Sequence, residues 1–270
     1  MYEAFFNNNF TNALVYYVFL LLLLLISPLL FLCELIITVR SSFQGDENMS
    51  KKVVLITGAS SGIGELMAYE YAKRGACLAI IAIKEPESRL EQVANTAREH
   101  GSPDVLFLFA DVSKINECRM FVEETVKHFG QLDHLVCNAG IGPIYSIDID
   151  VSKFEPVMDI NFWGSIYPTH FAIPHLVKSN GKIIVNASGS GVLNIPKGGV
   201  YNDLGDVYPT MSPDACAKAI VAGACKGATS ITQPRFIKAL FLIKYLFPES
   251  HHIYSNIYFA SMFDKVQKGG

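Results

Sequence analysis

The run Val53-Val54-Leu55-Ile56 leads directly into Thr57-Gly58-Ala59-Ser60-Ser61-Gly62-Ile63-Gly64. A short apolar run ahead of a glycine cluster reads as a buried strand, and the pattern after Gly62 reads as a helix. A strand that enters a glycine turn and leaves as a helix opens a dinucleotide-binding βαβ unit. Gly58 lets the chain turn sharply, Gly62 lets backbone approach a pyrophosphate, and Gly64 lets the helix pack close to the strand.

The chain downstream repeats the same alternation. Strands are expected at Val53–Thr57, Leu78–Ile83, Val105–Phe109, Asp133–Cys137 and Lys182–Asn186. Helices are expected at Gly62–Gly75, Glu87–His100 and Ile115–Phe129, with a long helical region at Ser152–Lys178 despite Pro156, Pro168 and Pro174. That order predicts an α/β fold with a parallel, doubly wound sheet. The ligand crevice of such a sheet lies beyond the strand C-termini. The loops at 58–64, 83–85, 111–113, 138–142 and 188–201 should therefore face one another. After Tyr201 the pattern falters: a loop-like stretch, a short helix at Asp214–Gly227, and the nearly all-apolar run Arg235–Phe247.

A net charge of −3 and no basic stripe give no reason to invoke nucleic acid. The six cysteines, Cys33, Cys77, Cys118, Cys137, Cys216 and Cys225, show no metal-ligand spacing and read as small buried hydrophobes in a reducing compartment. From Ala13 to Val39 only Glu34 is charged, and Leu20 to Leu25 is unbroken leucine. A bilayer core takes about 20 apolar residues as a helix, so this run is long enough for a membrane anchor. Ser27-Pro28 leaves two arrangements open, a kinked spanning helix or a hairpin that enters and leaves one face. Arg40, Lys51 and Lys52 follow the run, which favours a cytoplasmic domain. Sequons at Asn9, Asn48 and Asn186 can report which side each faces. The expected organisation is a tail at 1–12, an anchor at 13–39, a linker at 40–50, a dinucleotide-binding Rossmann domain at 51–201, and a truncated C-terminal part at 202–270. The run Arg235–Phe247 either lies on the membrane with Lys238 and Lys244 snorkelling, or packs on the sheet or on a partner.

With the loop-end residues in view, residues 51–201 resemble the short-chain dehydrogenase/reductases. Residues 57–64 match their cofactor loop, Asp111-Val112 their adenine contact, and Asn138-Ala139-Gly140 their strand-four motif. Asn161, Ser188 and Tyr201 match three of four catalytic positions. The N-terminal anchor and the tail, including Ala217-Lys218-Ala219-Ile220, resemble plant 11β-hydroxysteroid dehydrogenase-like proteins, also called steroleosins. That resemblance implies an oxidoreductase of apolar, sterol-like alcohols and ketones, located at the endoplasmic reticulum or a lipid droplet. It also implies a homodimer, although the dimer helix at Tyr201 falls among the missing parts.

The family pattern is Tyr-x-x-x-Lys, whereas this chain has Tyr201-Asn202-Asp203-Leu204-Gly205. Gly205 stands at the lysine position. The long helix carrying that pair, the sixth strand and the segment that closes over the nicotinamide are also missing between Asn202 and Met211. The resemblance makes Tyr201 the proton donor and Ser188 the holder of the carbonyl oxygen, with Asn161 supporting a water relay to the absent lysine. An ordinary tyrosine has a pKa of about 10, and the lysine's charge is what would lower it. Turnover is therefore expected to be impaired. The alternative is a non-catalytic membrane or oil-body protein that retains a nucleotide pocket, or a truncated isoform.

The cofactor residues are expected to be Gly58, Ser60, Ser61, Gly62, Ile63, Gly64, Lys84, Asp111, Val112, Asn138, Ala139 and Gly140. An acidic residue at the end of strand two would bind ribose hydroxyls and select NAD. Here the run is Ala82-Ile83-Lys84-Glu85, and Lys84 can meet a 2′-phosphate as a point charge, so NADP is expected over NAD. Plainer readings stand beside these. Asp111 would cap the following helix, Asn161 would satisfy backbone at a helix irregularity, Lys84 would be a solvated side chain, and Ser188 and Tyr201 would be ordinary loop residues.

Overall fold

A computed structural model of the protein describes residues 9–43, 45–84, 89–142, 150–188, 211–234 and 236–246. The chain divides into two compact units, Met1–Glu47 and Asn48–Gly270. In the first, helix α1 spans Asn9–Phe43, 35 residues, and continues through Pro28. Its described side chains fall in broken runs, and among the described residues no helix is long and apolar enough to cross a membrane. The anchor reading of Ala13–Val39 thus rests on composition. The helix also covers Arg40–Phe43, residues expected to belong to the linker.

The second unit is the expected doubly wound sheet. In chain order it comprises β1 (Val53–Thr57), α2 (Gly62–Ala72), β2 (Cys77–Ala82), α3 (Arg89–Glu99), β3 (Val105–Phe109), α4 (Ile115–Phe129) and β4 (His134–Cys137). A 3₁₀ turn (Val151–Lys153), α5 (Phe154–Met158), a π-helical turn (Asp159–Trp163) and α6 (Gly164–Ser179) then form one helical stretch. After it come β5 (Lys182–Val185), α7 (Pro213–Cys225) and α8 (Phe236–Leu246). All strand pairs are parallel and the order is β3-β2-β1-β4-β5.

Parallel strands are covered on both faces, so their sequences are apolar throughout rather than alternating. Val54 and Ile56 of β1, Leu78 and Ile80 of β2, and Val136 of β4 join a core with α2, α3 and α7. Val53, Leu55, Ala79, Ile81 and Leu135 point to the other face, against Phe121 and Val122 of α4 and Ala172 and Leu176 of α6. Of the C-terminal part, α7 packs into this unit. Ser212 caps α7 by accepting from the Ala215 N–H at 3.2 Å, with Pro213 in the first turn, where its missing N–H costs nothing. Ala217, Ile220, Val221 and Cys225 of α7 are buried in the first core.

Helix α2 ends at Ala72, short of the expected Gly75, because Lys73–Gly75 folds into a turn closed by Gly75 at φ +75°. Glu70, buried on that helix, accepts from Lys73 Nζ at 2.6 Å and Arg74 Nη1 at 3.2 Å. Burial alone would raise its carboxyl, but these two hydrogen bonds and charges outweigh burial and hold it below the ordinary carboxylate range. A depressed carboxylate contributes stability above its unfolded pKa and loses it as pH falls through the folded one. Glu70→Gln should cost about 1 kcal/mol at neutral pH, a modest figure because both cations are partly solvated. The difference from the parent should shrink below about pH 4. Denaturant unfolding at both pH values checks this, and a pH-independent difference contradicts it.

Candidate nucleotide and catalytic site

Because the sheet is parallel, the C-terminal ends of all five strands reach one edge. There β1 delivers Gly58, β2 Lys84, β3 Asp111, β4 Asn138 and β5 Ser188. Gly58 has φ +65°, and a Cβ on it would stand 2.7 Å from the Ala139 Cα. A Cβ on Gly64 would run into the Gly58 carbonyl oxygen and the Asn138 amide. The glycine turn is therefore pressed against the β4 loop, and a side chain at either position would force the two apart. Gly62, by contrast, faces open space, and Ser61 makes no side-chain cap on α2. The leading N–H groups of a helix have no intrahelical partners, and an end open to an anion suits a pyrophosphate. Ser60 is buried, Ser61 is exposed, and Ile63 packs on the first core.

One buried hydroxyl holds this arrangement. Thr57 Oγ1 donates to the Val136 carbonyl at 3.3 Å and accepts from the N–H groups of Asn138 (3.0 Å) and Ala139 (3.2 Å). The Asn138 amide donates to the carbonyls of Thr57 and Gly58, both at 3.1 Å, and its oxygen accepts from Asn186 Nδ2 at 2.9 Å. The ends of β1, β4 and β5 are thus tied into one polar knot. The sequence reading placed Thr57 in the cofactor loop without giving it a role, and left Asn186 out of the site. The available signal was a lone hydroxyl closing the wholly apolar β1, and an asparagine at the equivalent end of β5.

Asn161 lies in the π-helical turn Asp159–Trp163. Its Oδ1 accepts from the Ile141 N–H at 2.8 Å and its Nδ2 donates to the Ile141 carbonyl at 2.9 Å. This is the backbone-satisfying arrangement, and it fixes the loop after Gly140, where an added Cβ would lie 3.2 Å from Asn161 Oδ1. Asp111 is not the cap of α4. Its Oδ1 accepts from the N–H and hydroxyl of Ser113 at 2.9 and 2.7 Å, and Lys114 occupies the cap position. Val112 is buried, within 2.7 Å of where a Cβ on Gly164 would sit. Lys84 and Ser188 are exposed. Tyr201, Gly205 and Glu85 lie outside the described residues.

The other Tyr-x-x-x-Lys of the chain, Tyr69 to Lys73, is unfit for proton transfer. Burial, reinforced by the hydrogen bond to Glu65 at 2.9 Å, pushes the Tyr69 hydroxyl up to about 12, and Lys73 is committed to Glu70. Burial likewise pushes the thiols of Cys118 to about 12 and Cys137 to about 11, leaving them un-ionised at neutral pH. The expectation of buried cysteines holds for Cys118, Cys137 and Cys225, whereas Cys77 and Cys216 are half-buried and Cys33 is exposed.

A strand–glycine–helix cradle locked to an Asn-Ala-Gly loop at the C-terminal edge of a parallel sheet defines a dinucleotide-binding α/β protein. The model of the short chain dehydrogenase family matches residues 52–202, and the chain belongs to that family. Its relatives include three Arabidopsis thaliana proteins. 11-beta-hydroxysteroid dehydrogenase-like 3 is 39% identical over 82% of this chain and 85% of its own. 11-beta-hydroxysteroid dehydrogenase 1A is 40% identical over 75% and 74%. 11-beta-hydroxysteroid dehydrogenase-like 4A is 37% identical over 90% and 96%. The last alignment runs over 290 positions, more than the 270 residues of this chain, so that relative carries residues this chain lacks. Among solved structures, an alcohol dehydrogenase from the archaeon Thermococcus sibiricus, complexed with 5-hydroxy-NADP, shares 28% identity at a TM-score of 0.51, over 64% of this chain and 67% of that one. An NAD+-bound xylitol dehydrogenase shares 26% identity at 0.51, over 66% and 62%.

Thr57→Val should leave the N–H groups of Asn138 and Ala139 without their acceptor, at a cost of about 1–3 kcal/mol. It should also weaken dinucleotide binding by loosening the loop against Gly58. Thermal unfolding and a dinucleotide titration measure both effects, and unchanged binding would contradict the role given to this hydroxyl.

Proposed function

We propose that the chain is a membrane-anchored, NADP-dependent short-chain oxidoreductase of the hydroxysteroid dehydrogenase type, with turnover far below that of intact relatives. The observation that carries the reading is the contrast between a well-formed glycine cradle at 58–64 and Gly205 at the position of the pattern's lysine. Bound nicotinamide would supply or accept the hydride. Gly58, Gly62, Gly64 and the first turn of α2 would hold the pyrophosphate, with Ser60, Ser61 and Ile63 shaping the turn. Asp111 and Val112 would flank the adenine, and Asn138, Ala139 and Gly140 would line the floor. Lys84, exposed at the end of β2 with no carboxylate before it in the strand, supports NADP over NAD.

Ser188 would hold the carbonyl oxygen of an apolar, sterol-like substrate, and Tyr201 would pass the proton. Asn161 spends its amide on Ile141, so its first effect is to position the floor loop. An ordinary tyrosine holds its proton well above neutral pH, and with Gly205 at the pattern's lysine position the motif supplies no charge to change that. The names of the plant relatives and the dinucleotides in the solved neighbours support the substrate and cofactor classes.

The membrane reading is supported by Ala13–Val39, with its single charge. Helix α1, at ~1.5 Å per residue, is about 50 Å long against a hydrocarbon core of about 30 Å. Its continuity through Pro28 favours a span over a hairpin, and hence the endoplasmic reticulum bilayer over a lipid-droplet monolayer. Arg40, Lys51 and Lys52 favour a cytoplasmic catalytic unit. On α8, the exposed Leu242, Tyr245 and Leu246 with Lys238 suit a helix lying on the lipid surface. Gly205 also favours a second reading, a membrane protein that binds the nucleotide and turns nothing over.

NADPH oxidation by the full chain in detergent micelles with a steroid ketone, beside an intact plant relative, decides between them. The expected rate is at least about 100-fold below the relative and is lowered further by Tyr201→Phe. A rate matching the relative overturns the proposal, and a rate indifferent to Tyr201→Phe selects the second reading.

A further inference from the structure

The turn Ala110–Lys114 joins the C-terminal end of β3 to α4 and is pinned along its whole length. Ala110 donates its N–H to the Ala82 carbonyl of β2 at 2.9 Å, and the Lys114 N–H closes the turn on the Asp111 carbonyl at 3.0 Å. Cys118, fully buried on α4, donates to the Val112 carbonyl at 3.2 Å. Val112 in turn packs where a side chain on Gly164 would collide with it.

The remaining bond is out of the ordinary. Glu117 is the third residue of α4, counted from Ile115. A glutamate there ordinarily reaches back to the N–H of the residue that caps the helix. Here the cap position belongs to Lys114, whose N–H is already given to Asp111. Glu117 Oε2 passes over it and accepts from the Asp111 N–H at 2.6 Å, six residues away. The short distance fits a charged acceptor. The bond leaves the cap of α4 no better satisfied; what it fixes is Asp111.

Fixing Asp111 fixes a carboxylate. Oδ1 is spent within the turn, on the N–H and hydroxyl of Ser113. Among the described residues Oδ2 accepts no hydrogen bond, and the residue is half-buried. An ionised carboxylate can only accept. The strand order puts β3 beyond β2, on the opposite side of β1 from the Asn138 loop. A dinucleotide whose pyrophosphate sits at the start of α2, with its nicotinamide over that loop, therefore has its adenine half on the β2–β3 side. Adenine offers a donor at its 6-amino group, whereas a 6-keto base offers an acceptor at the same place.

We propose that Glu117 is a positioning residue for base recognition. By holding the Asp111 backbone it sets the Asp111 carboxylate to accept from the adenine 6-amino group, and so selects adenine dinucleotides over those with a 6-keto base. The inference rests on the nucleotide-site reading given above and adds to it the residue that aims the acceptor. Two carboxylates at one turn also disfavour a carbonyl oxygen, which works in the same sense.

The test titrates the full chain in detergent micelles with NADPH and with its reduced hypoxanthine analogue, following nicotinamide fluorescence. The parent should bind NADPH at least about tenfold more tightly than the analogue, as expected of one hydrogen bond to a charged, half-buried group. Glu117→Ala should bring the two affinities within about threefold of each other, mainly by weakening NADPH. Glu117→Gln keeps an acceptor within reach of the Asp111 N–H and should restore most of the preference. Glu117→Asp, one methylene too short for the bond, should lose the preference as the alanine variant does, and decides the matter if that variant fails to fold. Removing a merely structural glutamate would weaken both dinucleotides alike. An unchanged ratio in Glu117→Ala and Glu117→Asp therefore overturns the proposal while sparing the placement of the adenine. A parent that binds the two dinucleotides equally, or binds neither, overturns that placement and the proposal together.

Discussion

The Thr57 hydroxyl is the interaction on which the site depends. It closes the apolar strand β1, sits fully buried, and joins β1 to β4 through one donated and two accepted hydrogen bonds. A buried hydroxyl with all its partners fixes geometry sharply, because losing any of them exposes an unpaired polar group to a low-dielectric interior. The Asn138 amide extends the knot to the Gly58 carbonyl and, through Asn186, to the end of β5. The glycine turn can then sit against the β4 loop only if positions 58 and 64 have no side chain. Helix α2 leaves that turn with its N-terminus toward open space.

The same sheet changes character from one side to the other. β1, β2 and β4 are buried along almost their whole length, with helices on both faces. β5 is exposed at every second residue, and among the described residues it pairs with β4 alone. Yet α7 still docks on α2 and receives the Lys182 ammonium, so the polypeptide beyond the gap retains its place in the first core. Cofactor cradle and α7 form one packed body.

The architecture was legible because strand and helix periods differ and the punctuation is strong. The limits of β1, β3 and α4 coincide with those expected, each bounded by turn residues or by a change in hydrophobic period. The glycine cradle was legible for the same reason. Thr57 was not, since a threonine in a strand is commonplace, and its role exists only where β4 lies alongside. The irregularity at Asn161 was legible as one alternative, but its partner, the Ile141 backbone 20 residues away, was not. Asp111 was read with a helix-cap alternative, but the chain bends back through Ser113 before α4 begins, so the carboxylate serves a turn instead. Tyr201 and Gly205 lie outside the described residues, and their part in the account rests on spacing alone.

The central claim is that the nucleotide-binding half is a stable, responsive unit although the catalytic half is incomplete. Amide hydrogen exchange of the full chain in lipid nanodiscs, with and without NADPH, tests it most directly. The account predicts slow exchange in β1, β2 and β4 in both states, and added protection on NADPH at 57–64 and 138–141 with β5 unchanged. Rapid exchange throughout the sheet, or protection indifferent to NADPH, would contradict it.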